Sequence, residues 1–285
     1  MQTPQPPGSP PAAAPHPRQA GIMRALEVAE TFDPVLEIER RVAFLADYTL
    51  RARARALVLG ISGGVDSLLA ALLAQRAVER LRSQGHEARF IAMRLPYGAQ
   101  KDEADAQRCL QVIRPDEMLT VDIQPAVDAM AQSLREAGLA YRDAAHEDFL
   151  IGNVKARQRM IAQYAVAGAR SGLVIGTDQA AEALMGFFTK HGDGAADLTP
   201  LTGLSKRRVR ALAKALGAPD ELVYKVPTAD LETLSPLKPD EVAFGVSYEQ
   251  IDDFLEGKAV GSDAEAIILR TYDQSAHKRA LPATP

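Results

Sequence analysis

Along this chain, short unbroken apolar runs alternate with longer segments whose apolar residues recur every three to four positions. "ALVLGI" (56–61), "ARFIAMRL" (88–95), "EMLTVDI" (117–123) and "GLVIGT" (172–177) are the runs, and they predict buried strands. Between them lie helical patterns: Ser67 to about Leu81, "DEADAQRCLQVI" (102–113), "QPAVDAMAQSLREAGL" (124–139) and "FLIGNVKARQRMIAQYAVAGAR" (149–170). A helix is also predicted ahead of the first strand. There Asp33 can cap, Pro34 sits in the first turn, and Val35, Ile38, Val42 and Leu45 keep helical spacing. Strands without polar alternation, joined through helices, predict an α/β protein with a parallel sheet covered on both faces.

After "DQAAEALMGFF" (178–188), another helical pattern, the rhythm changes. "TKHGDGAADLTPLTGLS" (189–205) is turn-rich and leads into the helix "KRRVRALAKALG" (206–217). "YKVPTADLETLSPLKPD" (224–240) follows with three prolines, and a loop of that length is expected to be functional or mobile. No internal repeat is found. The start, residues 1–22, is rich in Pro and Ala with little to bury, so it is expected to be a disordered tail preceding one domain over 23–285. Met23 is an alternative natural start.

Composition narrows the function. The 285 residues carry a formal charge of −4, which disfavours a general nucleic-acid binder. One cysteine, Cys109, excludes an internal disulfide or a cysteine zinc cluster and disfavours sulfur transfer. No apolar run reaches the roughly 20 residues that span a bilayer, and the N-terminus lacks a secretory pattern, so no membrane and a cytoplasmic location are expected.

The candidate chemistry sits just after the first strand, in "GISGGVDS" (60–67). A strand-to-helix turn there offers backbone N–H groups and a positive helix end to an anion. Gly63 and Gly64 are expected to allow close approach and positive φ, and Ser62 and Ser67 add hydroxyls. No lysine follows the glycines, unlike the usual phosphate loop. Asp66 stands in its place and would repel phosphate unless Mg²⁺ lay between them. Glu182, expected at the same sheet edge, is a second hard oxygen ligand. By residue type alone it is a solvated helix glutamate.

The S-G-G-x-D-S pattern resembles the loop of the ATP pyrophosphatases. "RLPYGAQKDEADAQ", "GNVKARQRMIAQY", "GTDQAAEALMGFFTKHGDGAADLTPLTGLSKR", "PTADL" and "YEQIDDFLEG" extend the resemblance, in order, to the ammonia-dependent NAD⁺ synthetases over about residues 24–280. That resemblance implies a Rossmann-like doubly wound sheet and a homodimer. It implies amidation of deamido-NAD⁺ with ammonia, driven by ATP through an acyl-adenylate, with release of AMP and pyrophosphate. It implies ATP contacts from Gly60, Ile61, Ser62, Gly63, Gly64, Val65, Asp66, Ser67, Arg94, Gln100, Thr177, Lys206 and Thr228, and a Mg²⁺ held by Asp66 and Glu182. Asn153, Arg157, Lys190, Asp197, His277 and Lys278 are implied for the dinucleotide. Lys206 would supply the charge the loop lacks, Asp193 would order or deprotonate ammonia, and Thr228 would ride on a lid that keeps water from the adenylate.

Relatives often carry Gln at Val65 and His at Gln179. Val65 is expected to point inward, and Gln179 cannot take an acid–base role. Lys206 to Arg210 could be only a basic face, and "HKR" (277–279) only a basic tail. A non-catalytic ATP sensor would lack one of Asp66, Glu182 or Lys206. A tRNA-modifying pyrophosphatase would want paired cysteines and a basic surface. A glutamine-using relative needs a further domain with a nucleophilic cysteine, whereas Cys109 lies at an apolar helix position.

Overall fold

The computed structural model describes residues 15–98, 103–229, 231–234 and 238–285. Helices α1 (Pro17–Ala25) and α2 (Pro34–Arg51) precede β1 (Ala56–Gly60), which runs through the glycine turn into α3 (Val65–Ser83). Then come β2 (Arg89–Arg94), α4 (Glu103–Ile113), β3 (Glu117–Thr120), α5 (Gln124–Glu136), the long α6 (Ala144–Ala169) and β4 (Gly172–Val174). The C-terminal part holds α7 (Ala180–Met185), α8 (Lys206–Ala215), α9 (Asp220–Val223), β5 (Thr228–Ala229), β6 (Lys238–Pro239), α10 (Asp240–Phe244), α11 (Tyr248–Leu255), α12 (Ser262–Gln274) and α13 (Ala276–Arg279).

The four main strands form one parallel sheet in the order β3-β2-β1-β4. Strand alternation sends its side chains to two cores. Leu57, Leu59, Phe90 and Ala92 pack with Leu45, Leu69, Leu73, Cys109 and Leu212 of α2, α3, α4 and α8. Ala56, Val58, Ile91, Met93 and Val174 pack with Val127 of α5 and Ala167 of α6. The chain winds from β1 outward through β2 to β3, then returns to place β4 on the other side of β1. The order therefore reverses between β1 and β4, where sheets of this kind open a crevice at their carboxyl ends. Among the described residues no helix is long and apolar enough to cross a membrane.

The cap predicted for α2 forms, with Asp33 accepting from Val35 and Leu36 N–H at 2.9 and 3.0 Å. Val42 and Leu45 are buried and Ile38 half-buried, but Val35 is exposed because the first turn precedes the contact with α3 and α8. Residues 17–22, expected in a disordered tail, belong instead to α1, while 1–14 lie outside the described residues. The Gln19 amide donates to the Phe254 and Lys258 carbonyls at 2.8 and 2.9 Å, closing the end of α11. Ile22, Leu26 and Val28 enter a third core with Phe254, Leu255 and Ile268. Tertiary packing makes this helix, against its composition.

Candidate active site

Fifteen of the residues singled out by sequence meet around one cavity of about 410 Å³ at the β1/β4 crevice. From the first turn come Gly60, Ile61, Ser62, Gly64, Val65, Asp66 and Ser67; from β2, Arg94; from the end of β4, Thr177; and from later segments Glu182, Lys206 and Thr228. Asn153, Asp193 and Lys278 line it too. Gln100 lies outside the described residues.

Only one of the paired glycines needs its positive φ. Gly63 has φ +86°, and a Cβ there would lie 2.9 Å from the backbone N of Ala106 in α4. Gly63 therefore seats the turn against α4 and does not line the cavity. Gly64 has φ −89° as the N-cap of α3, and its Cβ would meet nothing nearer than Ser62 Oγ at 3.5 Å. That corrects the expectation of left-handed backbone at both glycines: what Gly64 leaves open is the approach to α3. In the turn the hydroxyls bond one another, Ser62 Oγ to Ser67 Oγ at 3.1 Å, and Ser67 donates to the Gly64 carbonyl at 3.0 Å. Val65 is buried, as expected.

The floor of the cavity concentrates charge. Lys206, 1% exposed, donates from Nζ to Asp66 Oδ2 at 2.6 Å, stands 3.9 Å from Glu182 Oε1 and lies 4.8 Å from the centre of the Tyr248 ring. Tyr248 in turn donates to Asp240 at 2.9 Å. Burial opposes the charge on Lys206, but Asp66 and Glu182 outweigh it and hold its pKa above the ordinary lysine value. Burial, with Asp66 close by, raises Glu182 well above the usual carboxylate range against the pull of Lys206. Burial and the neighbouring Asp193 and Asp66 push Asp178 up to about 7. Asp193 is raised chiefly by the protein packed around its carboxyl, although solvent reaches it from the cleft. It accepts from Thr189 N–H at 2.9 Å, in a turn where a Cβ on Gly194 would sit 2.6 Å from the Phe188 ring.

Asp66 Oδ1 is buried without a partner. An orphaned carboxylate oxygen beside a second carboxylate is chemically suited to Mg²⁺. Among the described residues no three ligating side chains are gathered as a ready metal cage. Two carboxylates suit an ion that completes its shell with water and phosphate oxygens.

Some of the expected site residues are also held by the protein itself. Arg94 is buried and spends contacts within the protein, donating to the Ile61 carbonyl and pairing with Glu103, so it braces the turn from below. Of the dinucleotide set, only Asn153 and Lys278 reach the cavity wall. Arg157 donates to the Lys190 carbonyl at 3.2 Å, and Lys190 to the His277 carbonyl at 2.6 Å, forming a polar cluster outside it. Asp197 accepts from Val174 N–H at 2.7 Å and fastens the turn-rich segment to β4.

Sequence reading missed Asp178, Asp240 and Tyr248, which complete the charged floor. Asp178 adjoins Thr177 at a strand end, a position that could have drawn notice. Tyr248 opens the segment "YEQIDDFLEG", but nothing in the pattern gives it or Asp240 a place in the site. Gln163 of α6 was also missed: its side-chain oxygen accepts from Gly60 N–H at 2.8 Å and anchors the start of the turn.

A glycine turn at the switch point of a parallel sheet, opening onto carboxylates and a buried lysine, defines an α/β nucleotide-binding protein that handles phosphates. The chain belongs to the NAD synthase family, whose model matches residues 37–282. It is 63% identical over 267 residues to an NH₃-dependent NAD⁺ synthetase of Burkholderia pseudomallei (strain 1106a), covering 94% of each chain. Among solved structures it resembles NAD⁺ synthetase from Burkholderia pseudomallei, at 62% identity and a TM-score of 0.81 over 93% of this chain and 97% of that one. It also resembles NMN synthetase from Francisella tularensis, at 36% identity and a TM-score of 0.77 over 90% and 99%.

Proposed function

We propose that this protein is an NH₃-dependent NAD⁺ synthetase, which amidates deamido-NAD⁺ at the expense of ATP. The observation that carries this reading is the meeting of Asp66, Glu182 and Lys206 beside the glycine turn. It supplies anion-binding backbone and paired charges where a triphosphate would be split. The nicotinic carboxylate attacks the α-phosphorus of ATP, the α–β bridge bond breaks, and pyrophosphate leaves. Ammonia then adds to the acyl carbon, and the acyl–oxygen bond to AMP breaks to give the amide.

Backbone N–H groups of the turn and the Lys206 ammonium hold phosphate charge, which builds on the leaving pyrophosphate. A Mg²⁺ held by Asp66 and Glu182 would supply further charge neutralisation there. Asp193 takes the proton that ammonium must lose, a role suited to a carboxylate raised by its surroundings. Thr228 and its segment cover the site. Cys109, fully buried with its thiol pushed up to about 11 by burial, is unsuited to releasing ammonia from glutamine. Exposed Phe149 and Ile161 on α6, with Met118 on the edge strand β3, support a homodimer. A cytoplasmic location belongs to the same reading.

The test is incubation with ATP, Mg²⁺, deamido-NAD⁺ and ammonium, following NAD⁺ and AMP. Equal yields of both are expected, with rates rising with pH as free ammonia grows. A preference for nicotinate mononucleotide over deamido-NAD⁺ would favour the activity named for the Francisella relative instead. Glutamine serving as well as ammonium chloride would overturn the nitrogen source.

A further inference from the structure

The segment that covers the cavity is strapped between two helices. At its start Lys225 pairs with Asp105 of α4 at 2.8 Å, and β5 and β6 pair antiparallel through Thr228 and Pro239. Thr228, Leu231 and Glu232 of the strap face the cavity. The described residues of this segment, which its length marks as functional or mobile, are thus held at several points.

The far landing is a stripe on α6 at Asp148, Gly152 and Lys155, positions i, i+4 and i+7 on one helix face. Asp148 accepts from Thr233 and Leu234 N–H at 2.9 and 2.7 Å. Gly152 lets Leu231 lie flat, since a Cβ there would stand 3.2 Å from Leu231 Cβ. Lys155, 4% exposed, donates to the Leu231 carbonyl at 2.9 Å and to Thr233 Oγ1 at 2.8 Å, with its ammonium 4.3 Å from the centre of the Tyr97 ring. The adjacent stripe, Phe149, Asn153 and Ala156, lines the cavity. A buried ammonium is costly unless bonded, and here two of its bonds go to the strap.

We infer that Lys155 is a positioning residue that latches the strap over the site and so protects the acyl-adenylate from water. This rests on the proposed amidation. With the strap loose, water adds to the acyl carbon in place of ammonia and the bond to AMP breaks. Deamido-NAD⁺ is regenerated, and the net reaction is ATP plus water to AMP plus pyrophosphate. A residue needed only for folding would change total rate and melting temperature, whereas a latch changes the AMP formed per NAD⁺.

The experiment measures that ratio for the parent, Lys155→Met and Thr233→Val at subsaturating ammonium. A parent that makes no NAD⁺ refutes the amidation itself, separately from the latch. Given a working parent with a ratio near one, Lys155→Met removes a charge-assisted bond, so AMP released without NAD⁺ should rise about tenfold. Thr233→Val removes a neutral bond from the strap side and should raise it by a smaller factor, about threefold. It also decides the matter should Lys155→Met fail to fold. Uncoupled AMP unchanged from the parent in the folded variants overturns the latch. So does loss of both products together with an ordinary melting temperature.

Discussion

Replacing Lys206 by Met tests the charged floor directly, because the lysine is the cation between two buried carboxylates. At an effective dielectric of 20, separations of 2.6 and 3.9 Å correspond to attractions of about 6 and about 4 kcal/mol. Desolvation of the charges offsets much of this, and removing one partner of a buried pair typically costs about 3–5 kcal/mol. Asp66 and Glu182 each keep 17% of their side chains open to the cleft, which favours the lower end, about 3 kcal/mol at pH 8.

The loss should shrink in acid. Glu182 is already raised, and without Lys206 to lower it the folded value climbs further. A carboxylate raised in the folded state contributes most stability below its unfolded pKa and loses it as pH rises through the folded one. Lowering the pH from 8 to 5.5 should therefore recover about 1–2 kcal/mol in the variant relative to the parent. Lys206 in the parent stays charged throughout, its pKa being raised above an already high value. The chain has no Trp, so urea unfolding of the ligand-free proteins is followed by far-ultraviolet circular dichroism. A deficit below about 1 kcal/mol at pH 8, or an equal deficit at both pH values, refutes the account of the floor as one compensated charge cluster.

Asp66→Asn should slow exchange of labelled pyrophosphate into ATP, with deamido-NAD⁺ present and ammonia absent, by about 10²–10³; near-normal exchange would sink its role at the phosphates. Gly63→Ala should cost roughly 2 kcal/mol in urea unfolding, since it combines positive φ with a Cβ 2.9 Å from α4 backbone. Gly64→Ala should leave the ligand-free fold intact while weakening ATP binding in calorimetry, and equal effects of the two on stability would contradict the division of labour between them. Cys109→Ala should keep full activity and cost about 1 kcal/mol of packing, while the native thiol, at about 11, resists iodoacetamide at neutral pH.

The sheet was legible because its strands are continuous apolar runs, and the glycine turn because few other structures explain adjacent Gly63 and Gly64 between a strand and a helix. Lys206, Glu182 and Thr177 were reached through motif order, and the fold brings them together because Thr177 lies just beyond β4 while Glu182 and Lys206 stand in the first turns of α7 and α8. Asp240 and Tyr248 stayed hidden because they meet only through packing of α10 and α11, which no local pattern encodes. The same holds for α1: eleven prolines and alanines in the first 21 residues speak for disorder, yet two carbonyls at the end of α11 hold it at Gln19 and an apolar pocket holds it from Ile22 on. The anchors of the strap cannot be read from its own sequence for a related reason, since Lys155 and Asp148 lie about 80 residues away.

Helix α6 holds the strap at Asp148 and Lys155 and grips the first turn through Gln163, so it works as a lever. Eight residues separate Lys155 from Gln163, about 12 Å at 1.5 Å per residue. A tilt of about 5° pivoting on Gln163 would then carry Lys155 about 1 Å, enough to spoil a hydrogen bond. Changes of shape at the nucleotide end are thus transmitted mechanically to the cover, and a substitution that reshapes one end of this helix also retunes the other.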